Sequence, residues 1–132
     1  VLTAFLSPTC GHCRAFWHDV GPKIKEGKLK VMVYPVPSGG TPEEVKRSTD
    51  ITAKLLDQEN AAAAFIRFSQ GKITVPEGEA SAASYEQINR NIKLFANFKF
   101  TATPSFLGYK DDKLIKTTGW PFHLPNLLPN YN

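Results

Sequence analysis

The feature that most constrains this chain is Cys10-Gly11-His12-Cys13, which contains its only two cysteines and follows the apolar run Val1-Leu2-Thr3-Ala4-Phe5-Leu6. A run apolar on both faces reads as a strand in the middle of a sheet. Ser7-Pro8-Thr9 breaks it. Beyond the break, Cys13, Phe16 or Trp17, Val20 and Ile24 recur at three- and four-residue spacing, which predicts a helix from about Gly11 to Lys25 with one buried stripe. Cys13 then points toward the core, and Cys10 sits at the exposed N-terminal end of that helix. His18 falls about 140° around the helix from Cys13 and faces away. Gly27 is placed to cap the C-terminus.

The rest of the chain punctuates clearly. Leu29 to Val36 reads as a largely buried strand that Pro35 should end. Thr41-Pro42-Glu43-Glu44 is a helix start, and that helix runs to about Gln58. A shorter helix spans about Ala61 to Ser69. Ser84 and Gln87 read as a capping box for a further helix through Phe95, with Ile88, Ile92 and Phe95 on its apolar face. Ser105 to Lys110 and Lys113 to Thr118 flank Asp111-Asp112 as a hairpin. Pro125 and Pro129 should leave any last helix short or broken. The order predicts an α/β fold with a mixed four-stranded sheet and a helical insertion at about residues 41–83. At 132 residues the chain is expected to form one domain, residues 1–132. Val1 already reads as strand interior, so the chain is expected to have been cut from a longer one.

Bulk properties exclude several classes. No apolar stretch approaches the roughly 18 residues that span a bilayer, so membrane insertion is not expected; no signal peptide is read either. The formal charge is +4, with Lys23, Lys25, Lys28 and Lys30 close together, but no aromatic residues interleave with them in the manner of a nucleic-acid site. Neither cofactor nor metal is called for. Cys10, Cys13 and His18 have the spacing of three zinc ligands, but a fourth is lacking nearby and His18 faces the wrong way. Arg14 occupies the position after Cys13 where a c-type haem site needs histidine. His123, between Phe122 and Leu124, reads as a packing or surface residue.

A thiolate, not a thiol, attacks a disulfide. Cys10 is placed to ionise, because unpaired N–H groups and the macrodipole at a helix N-terminus favour negative charge. His12 can stabilise that thiolate as a cation or hydrogen-bond donor. Cys13, one turn on, can donate a hydrogen bond and later close the ring disulfide. Thr103-Pro104, ahead of the strand at Ser105, completes the pattern: a cis proline there would present the backbone of Thr103 to an extended substrate. Cys10, Cys13 and His12 are the candidate catalytic residues, and Thr103 and Pro104 the candidate substrate-binding ones. A stabilised thiolate should make the couple more oxidising than thioredoxin's, at about −270 mV.

These residues resemble the thioredoxin superfamily, and more closely the catalytic domains of bacterial periplasmic thiol:disulfide interchange proteins of the DsbC/DsbG type. The resemblance is carried by Phe5 through Trp17, by the Gly27-Lys28 turn, by Gly71-Lys72 through Val75-Pro76, and by Asn91 to Pro121 around Thr103-Pro104. It implies a periplasmic thiol–disulfide oxidoreductase, an isomerase or reductase of protein disulfides. Such a protein acts on clients with disulfides or oxidised cysteines and is kept reduced by a membrane-bound thiol reductant. It implies Cys10 as nucleophile, Cys13 as resolving cysteine, and Thr103 and Pro104 as the cis-proline loop. Family members usually carry an N-terminal dimerisation region, which is not expected within this chain; it is expected to be monomeric as it stands, with a homodimer open to a full-length protein. The Gly-His dipeptide departs from the family and matches eukaryotic protein disulfide isomerase instead. The alternatives are a dithiol oxidase that donates disulfides, and a non-catalytic adaptor of this fold in a secretion or conjugation assembly.

Overall fold

A computed structural model describes residues 2–121; the expectations for His123, Pro125 and Pro129 lie outside them. The elements are β1 (Leu2–Leu6), α1 (Gly11–Lys25), β2 (Val31–Pro35), α2 (Pro42–Leu56), α3 (Ala61–Ser69), α4 (Ala82–Asn97), β3 (Ser105–Lys110) and β4 (Lys113–Thr118). The sheet order is β2-β1-β3-β4. β1 runs parallel to β2 and antiparallel to β3, and β3 and β4 form a hairpin. The sheet is therefore mixed and four-stranded, with α2 and α3 inserted between β2 and α4.

β1 is central because its residues bury on both sides. Leu2, Ala4 and Leu6 join Cys13, Phe16, Trp17, Val20, Phe106 and Trp120 in one cluster. Phe5 points into the other, where its ring lies 5.3 Å from Tyr34, 5.5 Å from Phe95 and 5.6 Å from Phe100. α1 ends as its glycine suggests: Gly27 has φ +76°, its N–H bonds the carbonyl of Ile24, and the Lys28 N–H bonds that of Lys23.

Three details differ from expectation. β2 is shorter than Leu29–Val36 and is not largely buried, because it lies at the sheet edge; Met32 is 52% exposed. α4 begins at Ala82, not Ser84, so the insertion closes at about residue 81. Ser81 is the cap: its hydroxyl accepts the Ser84 N–H, and Asp57, at the end of α2, accepts from the Ser81 N–H at 2.6 Å, the Ser81 hydroxyl at 2.7 Å and the Ser84 hydroxyl at 2.6 Å. A carboxylate from a distant element decides where this helix starts, while Gln87 bonds Asn91 further along. Ile92 is exposed, because the inward position on α4 belongs to Asn91, whose amide donates to the Pro35 carbonyl at 2.9 Å.

Phe5 is the side chain on which the second core cluster converges. Phe5→Ala should destabilise the protein by about 3–5 kcal/mol, read as a lowered denaturant midpoint with the fold retained by far-ultraviolet dichroism.

Candidate active site

The C-x-x-C motif sits at the junction of β1 and α1. Cys10 is the N-cap residue of α1, with extended backbone (φ −96°, ψ 125°) and no side-chain capping bond of its own. Its sulfur is therefore left facing the N–H groups of the first turn. Cys13, one turn on, is fully buried in the main core cluster. Both are free thiols. The Ser7 N–H reaches the Cys13 sulfur at 3.4 Å, which ties the loop after β1 to the helix.

The two thiols titrate in opposite directions. Cys10 is lowered from 9.0 to about 5. The main cause is the hydrogen bond donated by the Cys13 thiol; the Thr103 side chain and the backbone N–H groups of Cys13 and His12 add to it, while partial burial opposes it. Cys13 is pushed far above its ordinary value, first because its proton is held on Cys10, then because it is buried, and then because the Cys10 charge lies beside it. At neutral pH one thiolate and one thiol share a single proton.

Thr103 comes to the site from the loop just before β3. The Cys10 thiol donates to the Thr103 carbonyl at 3.6 Å. A thiolate gives up that bond, so the donor groups outweigh one acceptor. The Thr103–Pro104 peptide is cis and Pro104 is fully buried. Its loop is held by Gly119 N–H to the Pro104 carbonyl at 2.8 Å, by the Ser105 hydroxyl on the Ala102 carbonyl, and by Ser105 to Thr118 at 3.0 Å.

The structure thus brings together Cys10, Cys13, Thr103 and Pro104. His12 joins them through its backbone N–H, while its side chain is exposed. His18 lies on the exposed side of α1. The carboxylate of Asp19 is occupied by the Trp120 indole N–H at 2.7 Å, and Glu26 is exposed and paired with Lys28, so neither is free to take the Cys13 proton. Among the described residues no group of three His, Cys, Asp or Glu side chains is arranged to hold a metal ion, and no helix is long and apolar enough to cross a membrane.

Comparison with solved structures places this geometry in context. The chain superposes on a disulfide interchange protein from Neisseria gonorrhoeae with a TM-score of 0.70 at 19% identity, covering 97% of this chain and 81% of that one. It superposes on the compact form of ScsC from Proteus mirabilis at 0.64 and 16% identity, covering 89% and 73%. A periplasmic thioredoxin-like protein from Salmonella enterica serovar Typhimurium matches at 0.59 and 18% identity, covering 89% and 74%. The fold is thioredoxin-like. No family model matches the chain, and no curated protein matches it by sequence.

In this thioredoxin-like frame the motif loop rests on four hydroxyls that the sequence did not single out. The Ser7 hydroxyl lies 2.8 Å from that of Ser38, 3.1 Å from that of Thr9 and 3.3 Å from that of Ser48. Thr9 lies 2.9 Å from Ser48 and 3.0 Å from Ser38, and the Ser38 N–H donates to Ser48 at 3.0 Å. The network joins the motif loop, the β2–α2 loop and α2. One signal was available: Ser48 stands on the same stripe of α2 as Ile51, Thr52 and Leu55, so its hydroxyl must be buried and needs partners.

Two outcomes follow. The thiolate absorbance of the reduced protein should titrate with a midpoint of about 5 and vanish in Cys10→Ser, while Cys13 shows no thiolate at neutral pH. Ser48→Ala, which leaves the Ser38 N–H without its acceptor, should cost about 1–3 kcal/mol in a denaturant titration.

Proposed function

We propose that this protein is a thiol–disulfide oxidoreductase that acts on protein disulfides as an isomerase or reductase. The observation that carries this reading is the shared proton: a Cys10 thiolate at the mouth of the site, beside a buried Cys13 that keeps its hydrogen. The thiolate attacks a client disulfide, forms a mixed disulfide and releases the other client sulfur as a thiolate. If that thiolate attacks a second disulfide of the client, and the client thiolate so released attacks the mixed disulfide, the client is rearranged and Cys10 leaves as the thiolate. If Cys13 instead loses its proton and attacks Cys10, the client leaves reduced and Cys10–Cys13 is left as a disulfide. The backbone of Thr103, next to the cis Pro104, is where an extended client segment would pair. The intact, oppositely tuned dithiol disfavours an adaptor, which has no chemical use for a thiolate.

The reading extends to the surroundings of the site. The names of the structural neighbours, a disulfide interchange protein and a periplasmic thioredoxin-like protein, support a periplasmic location. The likeness of Phe5 through Trp17 to DsbC/DsbG-type catalytic domains supports a membrane-bound reductant as electron source, which would keep the pair in the dithiol form an isomerase needs.

The test is the equilibrium of the Cys10–Cys13 couple with glutathione, with Cys10→Ser as control. The disulfide form has no thiol to titrate, so the lowered Cys10 pKa stabilises only the reduced form. That advantage over an ordinary thiol grows as pH rises from about 5 toward 9.0 and is lost as pH falls through about 5. The potential should therefore lie above thioredoxin's value of about −270 mV. It should fall by about 60 mV per pH unit while reduction takes up two protons, and by about 30 mV per unit once Cys10 stays ionised. A potential at or below thioredoxin's would point to a reductase alone, and the absence of a reversible couple would return the adaptor reading.

A further inference from the structure

Cys10 lines a groove of about 470 Å³ whose lining includes neither Thr103 nor Pro104. Its walls come from the motif loop and three helices: Pro8 and Cys10 from the loop, Arg14 from α1, Arg47 from α2, and Phe68 and Ile73 from the end of α3 and the segment beyond it. Two arginines thus line the same groove as the nucleophile, and among the described residues that line it none is acidic.

Arg14 is held in place. Its Nε–H donates to the Ser69 carbonyl, the last residue of α3. Its guanidinium lies against Gly71, where an added Cβ would come 3.4 Å from Nη2. Gly71 has φ +75°, its N–H bonds the Phe68 carbonyl and the Lys72 N–H that of Arg67, so the cap of α3 is what makes room for the arginine. Arg47 is exposed. Among the described residues the ion pairs are Lys28–Glu26 and Lys46–Asp50, and neither involves Arg14 or Arg47. Nearby acids are engaged elsewhere: Glu44 accepts the Gly40 N–H, and Asp50 accepts from Tyr85 and Lys46. Glu43 stands one turn before Arg47 on α2 without pairing with it.

Two uncompensated guanidinium groups over an apolar floor fit a chain segment that carries a carboxylate on an otherwise apolar stretch. We propose that this groove is a specificity subsite for client segments with an acidic side chain next to the reacting cysteine. The carboxylate sits between Arg14 and Arg47, the neighbouring apolar residues lie on Phe68 and Ile73, and the client sulfur is delivered to Cys10. The chemistry is that of the exchange step above: a Cys10–client S–S bond forms, the client's disulfide breaks, and its other sulfur leaves as the thiolate. The inference rests on the thiol–disulfide reading and adds the choice of client.

The test uses two short peptides that differ only by Glu or Gln beside a single cysteine, each capped as a disulfide with an uncharged pyridyl thiol. Release of that thiol reports the attack by Cys10. The ratio of the two rates removes any change in the nucleophile itself. The Glu peptide should react about five-fold faster at low ionic strength, the effect of roughly one exposed charge pair. The ratio should shrink as salt is added, approach one in Arg47→Gln, and drop below one in Arg47→Glu. Among the described residues Arg47 makes no side-chain hydrogen bond or ion pair that its loss would disturb, whereas Arg14→Lys, which keeps the charge but loses the Nε–H bond to the Ser69 carbonyl, should reduce the ratio only in part. Equal rates in the unaltered protein, or a preference that survives both Arg47 variants, would overturn the subsite and leave the exchange reading standing. Arginine dependence seen only with glutathione disulfide, not with the Glu peptide, would likewise overturn it in favour of a small-thiol site. Failure of both peptides to react with any variant would overturn the exchange reading and the subsite with it.

Discussion

The site depends on one hydrogen bond, from the Cys13 thiol to the Cys10 sulfur. It exists because the two cysteines lie one helical turn apart across the boundary between core and solvent. Cys13 is sealed into the cluster with Leu6, Phe16 and Val20, where an ion is too costly to form, so it keeps its proton. Cys10, at the helix start, is open enough to be reached and is surrounded by donors. Each pKa is set by the other: the proton that lowers Cys10 is the one Cys13 cannot lose. Such a pair offers one reactive thiolate while its neighbour stays protonated.

The helical insertion is built around this pair rather than beside it. Ser48 and Arg47 are neighbours on α2, and they face different tasks. Ser48 turns inward to the hydroxyl network under Ser7 and Thr9, while Arg47 lines the groove beside Cys10. The end of α3 gives Arg14 a carbonyl to bond and a glycine to lie against. The far end of α2 gives Asp57 to the start of α4. The segment that departs most from a minimal strand–helix alternation therefore supports the motif loop from below and shapes the surface that a client would meet.

Much of the architecture was legible from local pattern. The central strand, the helix over Gly11–Lys25, the Thr41 cap, the short helix from Ala61 and the Asp111-Asp112 hairpin all follow from periodicity and turn chemistry within a few residues. The errors share a cause: each involved a partner far away in sequence. Ser84 looked like a cap until Asp57 fixed Ser81. Ile92 looked inward-facing until Asn91 found the Pro35 carbonyl. β2 was apolar enough for a sheet interior, but nothing local says which strand is left at the edge. His12 is a separate, local case: the contact it makes with the Cys10 sulfur is through its backbone N–H.

The sequence by itself determined that a dithiol sits where a buried strand becomes an amphipathic helix, with Cys13 inward and Cys10 at the end. That follows from helical geometry and hydrophobic spacing, which are local and need no partner. It also marked Thr103-Pro104 as the second half of the site. Only the tertiary structure decided what surrounds Cys10: the Thr103 carbonyl at 3.6 Å, the Ser7 N–H on Cys13, the four-hydroxyl support, and the two arginines that line a groove with it. Hydrogen bonds and unscreened charges act over a few ångströms, so they depend on which distant segments the packed core brings together, and no local spacing encodes that.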